Sequence, residues 1–322
     1  MKALRTPTFA TIAVFLLIAV IAGQMYPGLL SLRVMLNLLT DNAFLGVAAI
    51  GVTFVILSGG IDLSVGAMIG CTGVMLAKML ESHALSGAAA IAIVLTFGCA
   101  IGAVHGCLVS SFRLPPFLVT LAGMFACRGI ALAISRESIS ISDPLVVSIA
   151  EFKMRFGRSG SLTSSAMILL ALLIVGVFVL RQMRFGRTTL AIGGGESSAL
   201  LMGLAVGRTK FWIYVVSGLC SALGGVVFCL YTLSGNAVAG TGLELDAIAA
   251  VVIGGAALTG GYGSVIGTFF GVMTLGLVQT ILTFDGRLSS WWTKIFVGSL
   301  FLLFVLMRRP LESQQSAQRA NL

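Results

Sequence analysis

A succession of apolar segments, each long enough to cross a lipid bilayer, constrains the fold of this chain more than any other feature. A spanning helix needs about 20 predominantly apolar residues. Windows of about that length lie at residues 9–26, 43–58, 62–80, 88–110, 117–135, 165–181, 211–232, 246–259, 264–283 and 291–307. The sequence therefore predicts an all-α, polytopic transmembrane helix bundle of about ten spans, forming one domain over residues 1–322.

Charged residues are too scarce to solvate a globular surface of this size. They make up 10% of the chain while 58% is hydrophobic, whereas a soluble domain carries about 25% charged residues. The net charge of +9 raises nucleic acid as an alternative partner. The basic residues lie at the ends of apolar segments rather than in one patch, as orientation charges do in membrane proteins. No nucleic-acid partner is therefore predicted.

The distribution of Lys and Arg predicts the orientation of the bundle. With the amino terminus inside and ten spans, the loop 182–210 is cytoplasmic, with Arg184, Arg187 and Lys210 in it, and so is the polar tail 309–322. The segment 136–164 falls outside although it is also basic. The short flanking loops still favour this orientation, because their Lys/Arg bias carries the most weight.

Two segments about 200 residues apart resemble one another. LSGGIDLSVG at 57–66 and LTGGYGSVIG at 258–267 each place a Gly-Gly break between two apolar segments. Transporters are often built from repeats whose pathway lies near paired helix interruptions, so an internal repeat is predicted; chance similarity in a glycine-rich chain is the alternative. The polar residues near these breaks are candidates to line a pathway, namely Thr53, Ser58, Asp62, Ser64 and Thr259, and Asn42 is a further candidate.

Ionisable residues inside the apolar windows are expensive and need a partner or a cavity. Asp62 follows the first Gly-Gly break, where a helix cap is the alternative to a transport role. Glu244 and Asp246 open the eighth window as first-turn acids, and Arg128 lies deep in the fifth, opposite an unidentified acid. Because the acids lie at segment ends rather than in a buried relay, a proton-coupled carrier is disfavoured, although an ion-coupled secondary sugar transporter stays an alternative.

The sequence has none of the motifs that would make this chain an enzyme. It contains no Gly-x-x-x-x-Gly-Lys-Ser/Thr loop to cradle ATP phosphates, and Gly193-Gly194-Gly195 lacks the context of a dinucleotide site. Its six cysteines form no C-x-x-C pair and cluster with no histidine. No catalytic residue, metal site or cofactor is therefore predicted.

The cytoplasmic stretch 186–207 predicts a contact with another protein. A basic, turn-rich segment leads into Glu196–Leu204, which has the pattern of a short amphipathic helix with a glycine stop. A helix exposed at the cytoplasmic face with apolar residues to bury favours a protein partner. A helix lying on its own bundle or on lipid is the alternative.

Together these segments resemble the permease subunits of bacterial ABC sugar importers, the ribose/arabinose/xylose group. The likeness covers about 30–308 and is carried by AIGVTFVILSGGIDLSVGAMIG at 49–70, the loop GR…AIGGGESSALLMG at 186–203, and DAIAAVVIGGAALTGGYGSVIGT at 246–268. Three further stretches are similar to the galactofuranose permeases in particular: LTDNAFLGV at 39–47, GLELDAIAAVVIGG at 242–255 and DGRLSSWWTKI at 285–295.

The resemblance implies an assembly in the bacterial inner membrane. Two permease chains, identical or different, would form the pathway for a monosaccharide. A cytoplasmic ABC ATPase would hydrolyse ATP, and a periplasmic binding protein would deliver the sugar. The ATPase would dock on a coupling segment that includes Gly193, Gly194, Glu196, Ala199, Met202 and Gly203.

Overall fold

The polypeptide folds almost entirely into helices. The computed structural model describes residues 6–82, 85–156 and 160–285, together with 292, 294–299 and 302. The helices in these residues are α1 (Thr6–Met25), α2 (Leu32–Asp41), α3 (Ala43–Leu57), α4 (Val65–Glu81), α5 (Gly87–Ser110), α6 (Pro116–Ile134), α7 (Pro144–Glu151), α8 (Ser164–Gln182), α9 (Arg184–Gly194), α10 (Glu196–Leu201), α11 (Val206–Thr232), α12 (Leu243–Ile253) and α13 (Val265–Asp285). The all-α prediction is confirmed for this part of the chain.

Four short strands form two small antiparallel pairs. The strands are β1 (Ile139–Ser140), β2 (Lys153–Phe156), β3 (Gly160–Thr163) and β4 (Ser234–Gly235). β1 pairs with β4, and β2 pairs with β3 in a hairpin. The hairpin carries Lys153 and Arg155 on β2 and leads directly into α8, whose first turn is capped by Thr163 accepting the Ala166 N–H at 3.3 Å.

Among the described residues, six helices are individually long and apolar enough to cross a membrane, namely α1, α5, α6, α8, α11 and α13. α2 and α3 pass the same test as a pair bent by 56°, either as one broken span or as a re-entrant segment. Two further windows correspond to shorter helices, α4 and α12, of 17 and 11 residues. Most of the window 291–307 and all of the tail 309–322 lie outside the described residues, so ten spans stays a prediction.

α11 is the central helix of the bundle. In its most apolar 18-residue window, 72% of the residues are buried, against 17% in the span of α1, and it packs against α3, α4 and α5. Gly98, Gly102 and Gly106 form the stripe of α5 that meets it: Cβ atoms there would strike Gly218, Tyr214 and Phe211 of α11. Small residues let backbones approach closely in lipid, so this stripe brings α5 into direct backbone contact with α11.

α12 and α13 form a second close pair. Gly267 and Gly271 of α13 have no room for a Cβ, because the backbone of Gly254 and Ala250 fills that space. α12 begins at Gly242, whose φ is +86°, after an irregular segment that lies along α4. It is therefore a short helix that starts inside the bundle, and its first turn carries Glu244 and Asp246 as predicted.

Arg128 of α6 holds that irregular segment in place. Its guanidinium donates to the carbonyl oxygens of Ala237 and Ala239, at 2.5 and 2.9 Å. Arg128 makes no ion pair within 4.0 Å among the described residues, and the predicted acid is Glu244, which attracts it electrostatically without direct contact. Backbone carbonyls accept from this partly buried cation because the segment is not helical and its carbonyl groups are free to accept.

Candidate functional site

The coupling segment, residues Gly193–Gly203, forms a short helix between two glycines. α10 follows directly after Gly195 and ends where Gly203 adopts a φ of +74°. That left-handed conformation costs a residue with a side chain about 1–2 kcal/mol, which explains a glycine at this position. The Leu204 N–H donates to the Ala199 carbonyl at 3.1 Å and closes the turn. The predicted short helix with a glycine stop is confirmed.

One face of α10 is buried and the other is open. Ala199 is completely buried and packs with Ile192 and Val206, while Glu196 forms a 2.7 Å ion pair with Lys210 at the base of α11. On the opposite face Leu201 and Met202 are 90% and 65% exposed. α10 therefore presents an apolar tip on a helix that is anchored to α9 and α11.

Three glycine pairs meet at the start of the coupling segment. We call Gly59–Gly60, Gly193–Gly194 and Gly260–Gly261 the glycine junction. A Cβ on Gly193 would overlap the Leu57 carbonyl and the Gly261 N–H, and one on Gly260 would lie 2.7 Å from the Gly59 nitrogen. The Gly261 N–H donates to the Leu57 carbonyl at 2.9 Å. Both Gly-Gly breaks thus lie side by side and in contact with the end of α9.

A cavity of about 710 Å³ lies at the bend between α2 and α3, enclosed also by α11, α12 and α13. We call it the bend cavity. Its polar lining includes Asn37, Asp41, Asn42, Tyr231, Asp246 and Gln279. The Tyr231 hydroxyl donates a hydrogen bond to the Asp41 carboxylate at 3.2 Å, and Lys294 forms an ion pair with Asp246 at 3.1 Å. The rings of Phe44 and Phe228 also line the cavity and pack edge to face, with their centroids 5.2 Å apart.

The predicted pathway residues occupy four different environments. Asn42 lines the bend cavity, where its amide donates to the Leu38 carbonyl at 2.9 Å. Thr53 is completely buried, and its hydroxyl lies 2.8 Å from that of Thr268 on α13. Ser58 donates to the Val55 carbonyl at 2.7 Å beside the glycine junction, and Thr259 is exposed there. The Thr53 hydroxyl therefore joins α3 to α13, and the Ser58 hydroxyl bonds the last turn of α3.

Asp62 is the most enclosed of the predicted acids, at 2% exposure. Its carboxylate accepts the Ser64 N–H at 2.9 Å, the Ser64 hydroxyl at 2.6 Å and the Ser217 hydroxyl of α11 at 2.7 Å. α4 begins at Val65 with Ser64 as its cap residue. Asp62 thus fixes the turn that precedes α4 and ties it to α11, while Ser64 satisfies the carboxylate rather than facing a cavity.

The coupling segment and the bend cavity lie at opposite ends of the same helices. α3 runs from Asn42 at the cavity to Leu57 at the glycine junction. α11 starts beside α10 and reaches the cavity with Phe228 and Tyr231. Its 27 residues span about 40 Å at 1.5 Å per residue. A displacement at one end has a direct helical route to the other.

Sequence reasoning did not single out most of the cavity's polar side chains. Asn37, Asp41, Tyr231 and Gln279 line the cavity, yet each lies in or beside an apolar helix without a glycine break. The available signal was the run Asn37–Asn42, which has four polar residues at the end of a short amphipathic helix and at the bend that follows it. Metal binding has no comparable support, since no three ligating side chains lie together in the described ranges.

Comparison with known proteins identifies relatives along nearly the whole chain. The chain is 47% identical over 315 residues to the inner membrane ABC transporter permease protein YjfF of Escherichia coli, covering 97% of this chain and 95% of the relative. It is 35% identical to the fructose import permease protein FruG of Bifidobacterium longum, covering 94% and 90%. Identity to the ribose import permease protein RbsC of Escherichia coli is 34%, covering 92% and 91%.

No solved structure matches the chain. The profile of the family described as "branched-chain amino acid transport system / permease component" matches residues 34–305, which include the bend cavity, the glycine junction and the coupling segment. The relatives and the apolar helices agree on a multi-pass protein of the bacterial inner membrane. Because the match covers most of its length, the chain belongs to this family of ABC transporter permease components.

Proposed function

We propose that this chain is the membrane-spanning subunit of an ATP-driven importer that carries a monosaccharide across the inner membrane. Relatives that align with more than nine tenths of the chain are named as fructose and ribose import permeases. These two names support a sugar rather than the amino acid in the family's description. Galactofuranose is the finer proposal, and it rests on the three sequence stretches at 39–47, 242–255 and 285–295.

The observation that carries the proposal is the exposed apolar tip of α10. Leu201 and Met202 face away from the bundle, although α10 itself is fixed by buried Ala199 and by the Glu196–Lys210 ion pair. An apolar surface on a firmly held helix is suited to burial in a groove of another protein. We infer that a separate ABC ATPase subunit binds this tip and supplies the hydrolysis of ATP.

The glycine junction supplies the mechanical link in this proposal. Closure of the ATPase dimer on ATP would displace α10 and, through α9, press Gly193 against Leu57 and Gly261. Because these contacts are between closely packed backbones, they are nearly incompressible and would transmit a displacement directly. α3 and the link between α12 and α13 would then move together and rock the permease between outward- and inward-open states. A second permease chain and a periplasmic sugar-binding protein complete the proposed assembly.

The test is ATP-driven sugar uptake by the whole complex in proteoliposomes, with Leu201→Glu in α10. A charge in the centre of the docking contact is expected to cut uptake and co-purification of the ATPase about tenfold or more. Leu85→Glu is the matched control, because Leu85 is also exposed and lies at the opposite end of the bundle, beside the start of α5. Gly203→Val is expected to abolish uptake while the chain still inserts.

Two outcomes would overturn the proposal. Normal uptake by both the Leu201→Glu and Gly203→Val complexes would remove the coupling segment as the ATPase contact. Sugar uptake by this chain alone, driven by an ion gradient without ATP, would establish the secondary transporter instead.

A further inference from the structure

We propose that the bend cavity is a low-affinity monosaccharide subsite, with Asp41 and Gln279 as its principal hydrogen-bonding groups. The inference rests on the proposed function and adds to it a place and a set of contacts within one permease chain. Asn42 is the one residue that the cavity shares with the pathway predicted from sequence.

The size and enclosure of the cavity suit a small polar ligand. Its volume of about 710 Å³ lies within the roughly 300–1,000 Å³ typical of small-molecule sites. A monosaccharide fits with water around it. That spare volume favours weak binding, which a transport pathway needs because its ligand has to leave again.

The lining offers hydrogen-bonding groups that the protein does not use itself. The side chains of Asn37 and Gln279 have no hydrogen-bond partner among the described residues, and both are exposed to the cavity. Within the part of the chain that the structure describes, Asp41 accepts only the Tyr231 hydroxyl, which leaves acceptor positions free on its carboxylate. Amide and carboxylate groups of this kind match the donor-and-acceptor hydroxyls of a sugar.

Aromatic rings supply the second half of carbohydrate recognition. Phe44, Phe228 and Tyr231 lie on one side of the cavity, with the edge-to-face pair of Phe44 and Phe228 holding the ring positions. A sugar ring has an apolar face of C–H groups, and burying that face against aromatic rings removes apolar surface from water. Polar and aromatic groups thus approach one ligand from different helices.

The charge pattern favours a neutral polyol over an amino acid. Asp246 and Lys294 neutralise each other at 3.1 Å, so Asp41 is the remaining charged group of the described lining. The carboxylate of a zwitterionic amino acid would need a cationic partner, and Lys294, the cation of the described lining, is already paired with Asp246. A neutral sugar needs none.

The position of the cavity fits a pathway. Two helix interruptions meet there: the 56° bend at Asn42 and the start of the short helix α12 at Leu243, which lines the cavity. Interrupted helices mark binding sites in membrane transporters because irregular backbone is tolerated where it lines a water-filled space. The cavity also lies at the far end of α3 and α11 from the coupling segment, so movement of α10 reaches it along both helices.

The experiment uses the complete importer in proteoliposomes with labelled D-ribose, D-fructose, D-galactose and L-leucine, and compares Asp41→Asn and Gln279→Leu with wild type. Glu81→Gln and Gln182→Leu are the matched controls, since both residues are exposed and lie outside the cavity. We expect each cavity variant to lower the maximal uptake of the transported sugar about tenfold, the effect of one lost hydrogen bond to a charged or polar group. Stimulation of ATP hydrolysis by the binding protein is expected to stay within twofold of wild type.

A second readout addresses occupancy directly. With Thr283, which also lines the cavity, replaced by cysteine, millimolar transported sugar is expected to slow thiol labelling at position 283 in the isolated permease. The subsite is overturned if both cavity variants take up sugar within twofold of wild type, or if no sugar slows the labelling. In either case, sugar uptake by the wild-type importer leaves the proposed function standing. Uptake of L-leucine in place of every sugar overturns both.

Discussion

The coupling end and the cavity end of the bundle are connected by the same helices but packed in opposite ways. At the glycine junction, backbones touch with no room for a Cβ on Gly193, Gly260 or Gly261. At the bend cavity, about 710 Å³ stays open between α2, α3, α11, α12 and α13, and Asn37 and Gln279 line it without hydrogen-bond partners among the described residues. The contrast fits the two proposed roles: backbone contacts that do not yield would transmit movement, whereas polar groups left without partners would bind a hydrated ligand.

The largest effect is expected at the glycine junction. Gly193→Ala places a methyl group against the Leu57 carbonyl and Gly261 N–H, and should destabilise the protein by about 3 kcal/mol, the upper part of the range for overpacking. Gly194→Ala is the adjacent control, because a Cβ there meets nothing within 4 Å, and alanine in a helix is about 0.5–1 kcal/mol better than glycine. Thermal unfolding in nanodiscs measures both, and equal effects would contradict the tight junction.

A smaller effect is expected between the two ends, at Asp62. Asp62→Ala leaves the Ser64 N–H and the Ser217 hydroxyl without their acceptor. The free energy of unfolding should fall by about 2 kcal/mol, because these buried groups lose hydrogen bonds to a charge. Asp62→Asn keeps one acceptor oxygen and should cost less than half of that. Unfolding midpoints give the ranking. A change of sugar preference in Asp62→Asn, with no loss of stability, would place Asp62 on the pathway instead.

Thr53 separates a packing role from a pathway role. Its hydroxyl meets that of Thr268 between α3 and α13, and a hydrogen bond between membrane helices is worth about 0.6 kcal/mol on average. Thr53→Val should lower stability by about that amount and leave sugar uptake unchanged, with Thr268→Val giving a non-additive double mutant. Altered sugar selectivity in Thr53→Val would contradict this assignment.

The smallest effect on stability is expected at the cavity end. Asn37→Ala and Gln279→Ala remove side chains that have no partner among the described residues, so each should change the free energy of unfolding by less than about 0.5 kcal/mol. A loss larger than that in the same nanodisc measurement would mean that the cavity end is packed as firmly as the junction.

Local patterns predicted individual elements well. The apolar windows located the long helices, and the run from Glu196 to a glycine stop located α10, because hydrophobicity and backbone conformation act over a few residues. Arg128 shows where such reasoning ends: its polar partners are carbonyls of Ala237 and Ala239, more than 100 residues away, and no local pattern marks a carbonyl as free.

The pathway residues show the same boundary. Proximity to a Gly-Gly break selected Thr53, Ser58, Asp62, Ser64 and Thr259, none of which lines the bend cavity, whereas Asn42, a candidate away from the breaks, does line it. Whether a polar side chain faces a cavity, a neighbouring helix or its own backbone depends on the rotation of each helix about its axis. That rotation is decided by contacts with other helices, and the sequence of one helix does not contain it.

The sequence by itself determined that the chain crosses the membrane repeatedly, that it carries no phosphate-binding loop, and that a short helix with an exposed apolar face lies between the α9 and α11 segments. These properties follow from hydropathy and backbone chemistry within single segments. The tertiary structure alone decided that two Gly-Gly breaks 200 residues apart touch the end of α9, and that Asp41, Tyr231 and Gln279 converge on one cavity. Helices approach at distances and rotations set by side chains on both partners, so these meetings exist only once the whole bundle is packed.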